Sequence, residues 1–271
     1  MSNDELSAYI EAWSHSADQV IDLGRGLTAA DFLGGTDLPD WSVHDIYAHL
    51  AALEAGLAGA PDDTAALAMM KSAVITPSFT EIGVNARRGV PPDAVLDELA
   101  THVEARRRSL DADLPTDPDG PASGLPAGLQ WDWRTLLRNR AIDMWVHEQD
   151  IRRAVDRPGN VGGPGAQVTV TTFARSLPYI IGKRVGAPAG TIVAWNVAGA
   201  AGFATTVRVR DDGRARIVDE PSSSPDVAIA MDAETFAILG AGRRDPRDAD
   251  VTISGDTVIG TKILASMVLT P

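Results

Sequence analysis

Three polar side chains in the segment IDMWVHEQDIRRAVDRPG, residues 142–159, have the types and spacing of metal ligands. Asp143, His147 and Asp150 stand at positions i, i+4 and i+7, so a helix would bring all three to one face. An aspartate and a histidine one turn apart can both reach one divalent cation, but zinc requires a further protein ligand from elsewhere in the chain. The alternative is that these residues are merely neighbours on a solvated helix surface.

The five histidines of the chain offer few candidates for the missing ligand. His49 has apolar neighbours, including Ile46 and Leu50, in a predicted helix, which indicates a face turned at least partly inward. A helical bundle could place His49 opposite Asp143 and His147, leaving an open coordination position for water or substrate. The other interpretation is that His49 is an ordinary half-buried core residue.

Composition excludes several kinds of site and partner. The chain of 271 residues has no cysteine, so disulfides and thiolate-bound zinc are impossible and any metal must be held by His, Asp or Glu. Its formal net charge of −13 makes nucleic-acid binding unfavourable. No apolar run is long enough to span a bilayer, and the N-terminus has no signal-peptide pattern, so we expect a cytoplasmic protein that does not bind membranes.

The first part of the chain, residues 1–183, has the pattern of a helical domain. Apolar residues recur at helical spacing in LSAYIEAWSHSADQVIDLGRGL, and Ser42 with Asp45 forms a capping-box sequence before VHDIYAHLAALEAGLAG. Two more helices are predicted in PPDAVLDELATHVEARRRSLDADLP and WRTLLRNRAIDMWVHEQDIRRAV, and a further one in QVTVTTFARSLPYIIGKRV is interrupted near Pro178.

The last part, residues 187–271, has the pattern of a small α+β domain. Five short β-branched runs, TIVAWNV, ATTVRVRD, ARIVDE, DVAIAMD and DVTISGD, are bounded by turn-forming residues. Two helical segments, AETFAILGAG and TVIGTKILASMVL, interrupt or follow them. The predicted fold class is therefore α+β with two domains, joined near KRVGAPAG.

Three stretches together resemble one known family. WSVHDIYAHLAALE and RNRAIDMWVHEQDIRRAVDRPG are similar to two helices of the mycothiol-dependent maleylpyruvate isomerase family, part of the DinB-like superfamily of metal-binding four-helix bundles. The tail from MDAETFAILGAGRRDPRDADVTISGD to the end resembles the C-terminal domain of that family, which is similar to sterol-carrier-protein folds. The resemblance covers nearly the whole chain in the expected order.

The resemblance implies specific ligands and cofactors. His49, Asp143 and His147 would bind zinc, mycothiol would be the thiol cofactor, and Arg243 would act on substrate or cofactor, although the alignment leaves Arg244 as its alternative. The family has Glu where this chain has Asp143, which is one methylene shorter, so the helix must approach the metal more closely or a water must bridge; Asp150 is the alternative acid. Asp45 or Asp150 could also orient the imidazoles.

The implied reaction is attack of a zinc-activated cofactor thiolate on a small electrophile, as an isomerase or a thiol S-transferase. Arg243 could bind a carboxylate through two hydrogen bonds. Two other classes stay open: a hydrolase using metal-bound water, with Asp150 or Glu148 as general base, and a non-enzymatic protein that binds an apolar ligand. The sequence does not indicate the substrate or the oligomeric state.

Overall fold

The computed structural model describes residues 2–60, 77–125, 129–218 and 224–270. Two compact units divide the chain, Met1–Val168 and Thr169–Pro271. This division lies earlier in the chain than the boundary predicted from the sequence at residues 183–187. The predicted domain limits, 1–183 and 187–271, stay a prediction. The predicted fold class is confirmed: a helical first unit is followed by a unit with a five-stranded sheet and helices.

The first unit is built around four long helices whose apolar faces share one core. α1 (Ser2–Arg25) packs against α6 (Trp133–Ala154), and α3 (Val43–Leu57) packs against α5 (Pro92–Ala112). The pairs α1–α5 and α3–α6 close the bundle. Leu6, Trp13, Ile46, Leu99 and Leu137 are among the fully buried side chains of this core. The helices of this unit, in chain order, are α1 (Ser2–Arg25), α2 (Ala29–Phe32), α3 (Val43–Leu57), α4 (Pro77–Arg87), α5 (Pro92–Ala112) and α6 (Trp133–Ala154), and α7 (Pro164–Arg175) crosses the division between the units.

Side-chain caps fix the start of the two helices that carry the candidate ligands. Ser42 and Asp45 form the predicted capping box of α3: the Ser42 Oγ accepts from the Asp45 N–H at 3.2 Å, and the Asp45 carboxylate accepts from the Ser42 N–H at 2.9 Å. Asp132 caps α6 by accepting from the Thr135 N–H at 2.7 Å. Each cap satisfies N–H groups that the helix itself leaves unpaired.

Among the described residues of the first unit, two helices were not predicted. α2 has only four residues, although Thr28 and Asp31 form a second capping box at its start. α4 packs against α3 and ends at Arg87, whose guanidinium donates to Glu98 of α5 at 2.7 Å.

The second unit contains a five-stranded sheet in the order β3-β2-β1-β4-β5. β1 and β4 are parallel, with Val193 beside Val227 and Trp195 beside Ile229, and the other pairs are antiparallel. These four side chains, of Val193, Trp195, Val227 and Ile229, are buried. The ring of Phe236, in the helix after β4, lies edge-on to that of Trp195, with 5.9 Å between the ring centroids. The elements are α8 (Leu177–Tyr179) with a π-helical turn (Ile180–Arg184), β1 (Ile192–Ala198), β2 (Phe203–Val209), β3 (Ala215–Val218), β4 (Val227–Asp232), α9 (Ala233–Gly240), a 3-10 turn (Pro246–Asp248), β5 (Thr252–Gly255) and α10 (Thr257–Ala265).

All five predicted strands and both predicted helices of this unit are present. The interruption predicted near Pro178 is also present, because α7 ends at Arg175 and the chain continues as α8 and the π-helical turn. Within the described residues, no helix combines the length and the apolar character needed to cross a membrane.

Candidate metal centre

His49, Asp143 and His147 lie together in the interior of the first unit. α3 brings His49 and α6 brings the other two, and one ligand atom from each lies within 4.8 Å of the others. Both imidazoles are buried, with exposed fractions of 3% for His49 and 5% for His147, whereas the Asp143 side chain is 30% exposed. The three residues predicted to be ligands are therefore in contact range, at a place that solvent can reach from the Asp143 side.

The distances suit ligands that converge on one small cation. The Nε2 of His49 lies 3.6 Å from Asp143 Oδ2, and the Nε2 of His147 lies 3.6 Å from Asp143 Oδ1. Both distances are too long for hydrogen bonds. Two ligands of one tetrahedral zinc ion, each about 2.1 Å from it, stand about 3.4 Å apart. Asp143 thus reaches both imidazoles despite its short side chain, with a different oxygen facing each ring.

The hydrogen-bond partners of the two histidines leave the Nε2 atom of each imidazole available to a metal. The buried Nε2 of His49 has no hydrogen-bond partner among the described residues. In His147 the Nδ1 lies 3.1 Å from the carboxylate of Asp150, which can only accept when ionised, so Nδ1 carries the proton and Nε2 has the lone pair. An unpartnered buried nitrogen beside a carboxylate fits a metal ligand better than a satisfied core histidine.

Local electrostatics keep His49 and Asp143 in the protonation states that bind cations. Burial lowers the pKa of His49 and outweighs the opposing effect of the Asp143 charge, so its imidazole is neutral at pH 7. Burial alone would raise the pKa of Asp143, but the Arg140 guanidinium holds it well below its usual range. A neutral imidazole and an ionised carboxylate are the forms that coordinate zinc.

Asp150 is buried behind His147 and is engaged on both oxygens. Its Oδ2 contacts His147, and its Oδ1 accepts from Arg153 at 2.5 Å; Arg153 in turn donates to Asp37 at 2.7 Å. Asp150 therefore lies on the Nδ1 side of the ring, away from the nitrogen that faces Asp143. This position fits the orienting role foreseen for it, while its role as a catalytic group stays a prediction.

The indole of Trp41 covers the two imidazoles. Its ring centroid is 5.1 Å from that of His49 and 6.1 Å from that of His147, and the two imidazole centroids are 4.8 Å apart. The Trp41 Nε1 donates to Glu81 of α4 at 3.1 Å, which fixes the ring. Sequence reasoning did not give Trp41 a place in the site, although it immediately precedes the cap of the helix that carries His49.

A buried charge cluster lies next to Asp143. Arg140 donates to Asp143 Oδ2 at 2.6 Å and to Glu54 Oε1 at 2.8 Å, and Glu54 also accepts from Arg106 at 3.0 Å. Glu54 is completely buried, and the two guanidiniums lower its pKa against the effect of burial, so it is ionised. Neither Glu54 nor Arg140 was predicted, but the spacing of Arg140 three residues before Asp143 was a visible signal.

The remaining predicted site residues make other local contacts. Asp45 contacts Ser42 and Arg88, so its observed contacts are those of a helix cap. Glu148 is completely buried between Arg152 and Asn160, which each donate to it at 2.7 Å, and burial raises its pKa to about 7. Arg243 belongs to the second unit, in the loop after α9, and its guanidinium donates to the Ala241 carbonyl at 2.8 Å.

Two solved structures have a similar fold. They are the crystal structures of the mycothiol-dependent maleylpyruvate isomerase and of a histidine-to-alanine mutant of it, with TM-scores of 0.55 and 0.54 and sequence identities of 16% and 15%. Each alignment covers 94% of this chain and 93% of the other chain. At such low identity, the likeness shows the fold alone. Comparison with curated proteins gives no match.

The sequence pattern described as "Mycothiol maleylpyruvate isomerase N-terminal domain" matches residues 13–152. The matched range contains His49, Asp143 and His147, together with Glu54 and Arg140. Because this range is more than half of the chain, the protein belongs to the family defined by the mycothiol maleylpyruvate isomerase N-terminal domain.

Proposed function

We propose that this protein is a zinc- and mycothiol-dependent enzyme, an isomerase or a thiol S-transferase acting on a small electrophilic substrate. The single observation that carries the proposal is the convergence of His49, Asp143 and His147 inside the matched family region. Three protein ligands with a free coordination position are typical of catalytic rather than structural zinc. The lone Nε2 of His49 supports the presence of an ion there.

The chain's own residues would prepare this centre in three ways. His49, Asp143 and His147 would hold the ion, and Asp150 would keep the proton of His147 on Nδ1, so that Nε2 points its lone pair inward. Trp41 would shield the imidazoles from bulk water. Partial exposure of Asp143 leaves one side open for ligands.

The charge of the centre favours an anionic ligand. Two neutral imidazoles and one carboxylate offset only one of the two charges of a zinc ion, and the adjacent Glu54, Arg140 and Arg106 add one further positive charge in sum. When bound, zinc lowers the pKa of a coordinated thiol, so mycothiol would supply a nucleophile that this cysteine-free chain lacks. The thiol is released again in an isomerase and stays attached to the product in an S-transferase.

Arg243 is proposed to bind a carboxylate of substrate or cofactor, as the family resemblance implies. A guanidinium suits this role because it can donate two parallel hydrogen bonds to one carboxylate.

The hydrolase alternative has less support. It requires a general base beside the metal-bound water, and the two acids considered for that role are engaged elsewhere. Asp150 lies behind His147, and Glu148 is enclosed by Arg152 and Asn160.

A thiol-dependence assay tests the proposal. Protein stripped with a chelator and reloaded with zinc is mixed with small electrophiles, maleylpyruvate first, with and without mycothiol; isomerised product and thiol conjugate are measured by chromatography and mass spectrometry. We expect turnover only when zinc and thiol are both present. Turnover without thiol would favour the hydrolase, and absence of both turnover and bound zinc would favour a ligand-binding protein.

A further inference from the structure

Arg140 bridges two carboxylates that have different surroundings. Its Nη1 donates to Asp143 Oδ2 at 2.6 Å, while its Nη2 and Nε donate to Glu54 Oε1 at 2.8 and 3.3 Å. Asp143 is a candidate metal ligand with a partly exposed side chain, whereas Glu54 is completely buried. The guanidinium is planar and rigid, so fixing it at Glu54 also fixes the direction from which it contacts Asp143.

Glu54 is a firm anchor because three other helices of the bundle hold it. Trp13 of α1 donates to it at 2.9 Å, Arg106 of α5 at 3.0 Å and Arg140 of α6 at 2.8 Å, while Glu54 itself belongs to α3. The four side chains are buried, and the Arg106 guanidinium lies over the Trp13 ring at 4.8 Å. The cluster therefore ties the position of Arg140 to the packing of the whole bundle.

Asp143 needs such a constraint. In the structure each of its oxygens faces a different imidazole, and rotation of the carboxylate about its terminal torsion would break that arrangement. The Arg140 contact to Oδ2 defines the rotation in which Oδ2 faces His49 and Oδ1 faces His147. Sites that are held in their binding geometry before the ligand arrives lose less free energy on binding.

We propose that Arg140, anchored by Glu54, is a positioning residue that presents the Asp143 carboxylate to the metal between His49 and His147. This inference rests on the proposed metal-binding function and names residues beyond the three ligands. Arg140 does not coordinate the ion; it acts through Asp143.

Charge alone would predict the opposite effect from positioning. A cation beside a metal ion repels it, so loss of Arg140 would tighten metal binding if charge dominated. The Arg140 charge is paired with that of Glu54 at 2.8 Å, which reduces its field at the centre. Loss of an outer partner of a ligand weakens metal binding by about 10–100-fold, so we expect positioning to dominate.

The test compares Arg140→Met and Arg140→Lys with Arg106→Met in the full-length protein. Arg106 is the matched control because it also pairs with buried Glu54 but makes its hydrogen bond there and not to Asp143. Zinc affinity is measured by competition with a chromophoric chelator, and thermal unfolding is recorded for every variant.

We expect both Arg140 variants to bind zinc about 10–100-fold more weakly than the wild type. Methionine removes the hydrogen bond to Asp143, and the ammonium of lysine cannot span the two carboxylates as a guanidinium does. Arg106→Met should lower the unfolding temperature about as much as Arg140→Met but leave zinc affinity within about threefold. If Arg140→Met does not fold, the charge-conserving Arg140→Lys decides the question.

Unchanged or tighter zinc binding in the Arg140 variants would overturn the inference and leave the proposed function intact. Equal weakening by Arg106→Met would also overturn it, since the effect would then be general loosening of the bundle. A wild-type protein that binds no zinc would overturn both the inference and the proposed function.

Discussion

At the residue scale, two candidate ligands are held by outer partners of opposite kinds. His147 donates a hydrogen bond from Nδ1 to Asp150, which orients its ring, while Asp143 accepts a hydrogen bond from Arg140, which fixes its carboxylate. The His49 ring packs against Trp41 and His147, and its Nε2 has no hydrogen-bond partner within the described residues.

Asp150→Asn should weaken zinc binding by about 10–100-fold, because an amide oxygen accepts the hydrogen bond from His147 more weakly than a carboxylate does. Asp111→Asn, an exposed change near the end of α5, serves as the control and should have no effect. Isothermal titration against a competing chelator measures both. Wild-type affinity in Asp150→Asn would show that Asp150 does not orient the ligand.

Glu54 should contribute to stability in a pH-dependent way. Burial raises its pKa, but Arg106 and Arg140 outweigh burial and bring it below the ordinary value of 4.5. Its stabilising effect is therefore complete above pH 4.5 and is lost as the pH falls through the lower folded-state pKa.

Glu54→Gln should cost about 3–5 kcal/mol at pH 7, because it leaves buried guanidiniums without a counter-charge. The difference from the wild type should shrink as the pH falls below 4.5. Urea unfolding at a series of pH values measures it. A difference that stays constant down to the acid limit would mean that the carboxylate charge contributes nothing.

At the element scale, α3 and α6 determine the site, because each supplies an imidazole. The spacing of Asp143 and His147 on one helix face was predicted from sequence, and so was the cap at Ser42. The facing of α3 and α6 could not be derived from periodicity, which gives the buried face of a helix but not its partner. The apolar neighbours of His49 made it a candidate, and the family resemblance implied it as a ligand.

Ser42→Ala should destabilise the protein by about 1 kcal/mol, since it removes the acceptor for the Asp45 N–H at the start of the helix that carries His49. Thr28→Ala removes the equivalent cap of the four-residue, largely exposed α2 and should cost less. Chemical denaturation of both variants provides the comparison. Equal losses of stability in the two variants would show that the cap of α3 supports the fold no more than the cap of α2 does.

The buried partners were the least predictable part of the site. Glu54 lies within an apolar helix sequence, and its burial depends on Trp13, Arg106 and Arg140 from three other helices. Single-helix patterns contain no information about such a junction. The strands of the second unit, in contrast, follow from local β-branched runs bounded by turn residues, and all five are present.

At the scale of the whole molecule, the second unit is expected to contribute to activity but not to metal binding. Arg243→Met should lower kcat/KM by about 10–100-fold, the effect of losing hydrogen bonds to a charged group, and leave zinc content unchanged. Arg244→Met, one residue further along, is the matched control and resolves the alignment. A loss confined to Arg244→Met would move the role by one residue, and no loss in either variant would remove both from the site.

The proposed chemistry depends on one ion shared by the two bundle helices α3 and α6. Elemental analysis of the purified wild type, His49→Ala and His147→Ala tests this directly. We expect about one zinc per chain in the wild type and loss of zinc in both variants, each of which keeps its helical circular dichroism. Full zinc content in either variant, or a wild type that stays metal-free after incubation with zinc, would contradict a shared centre.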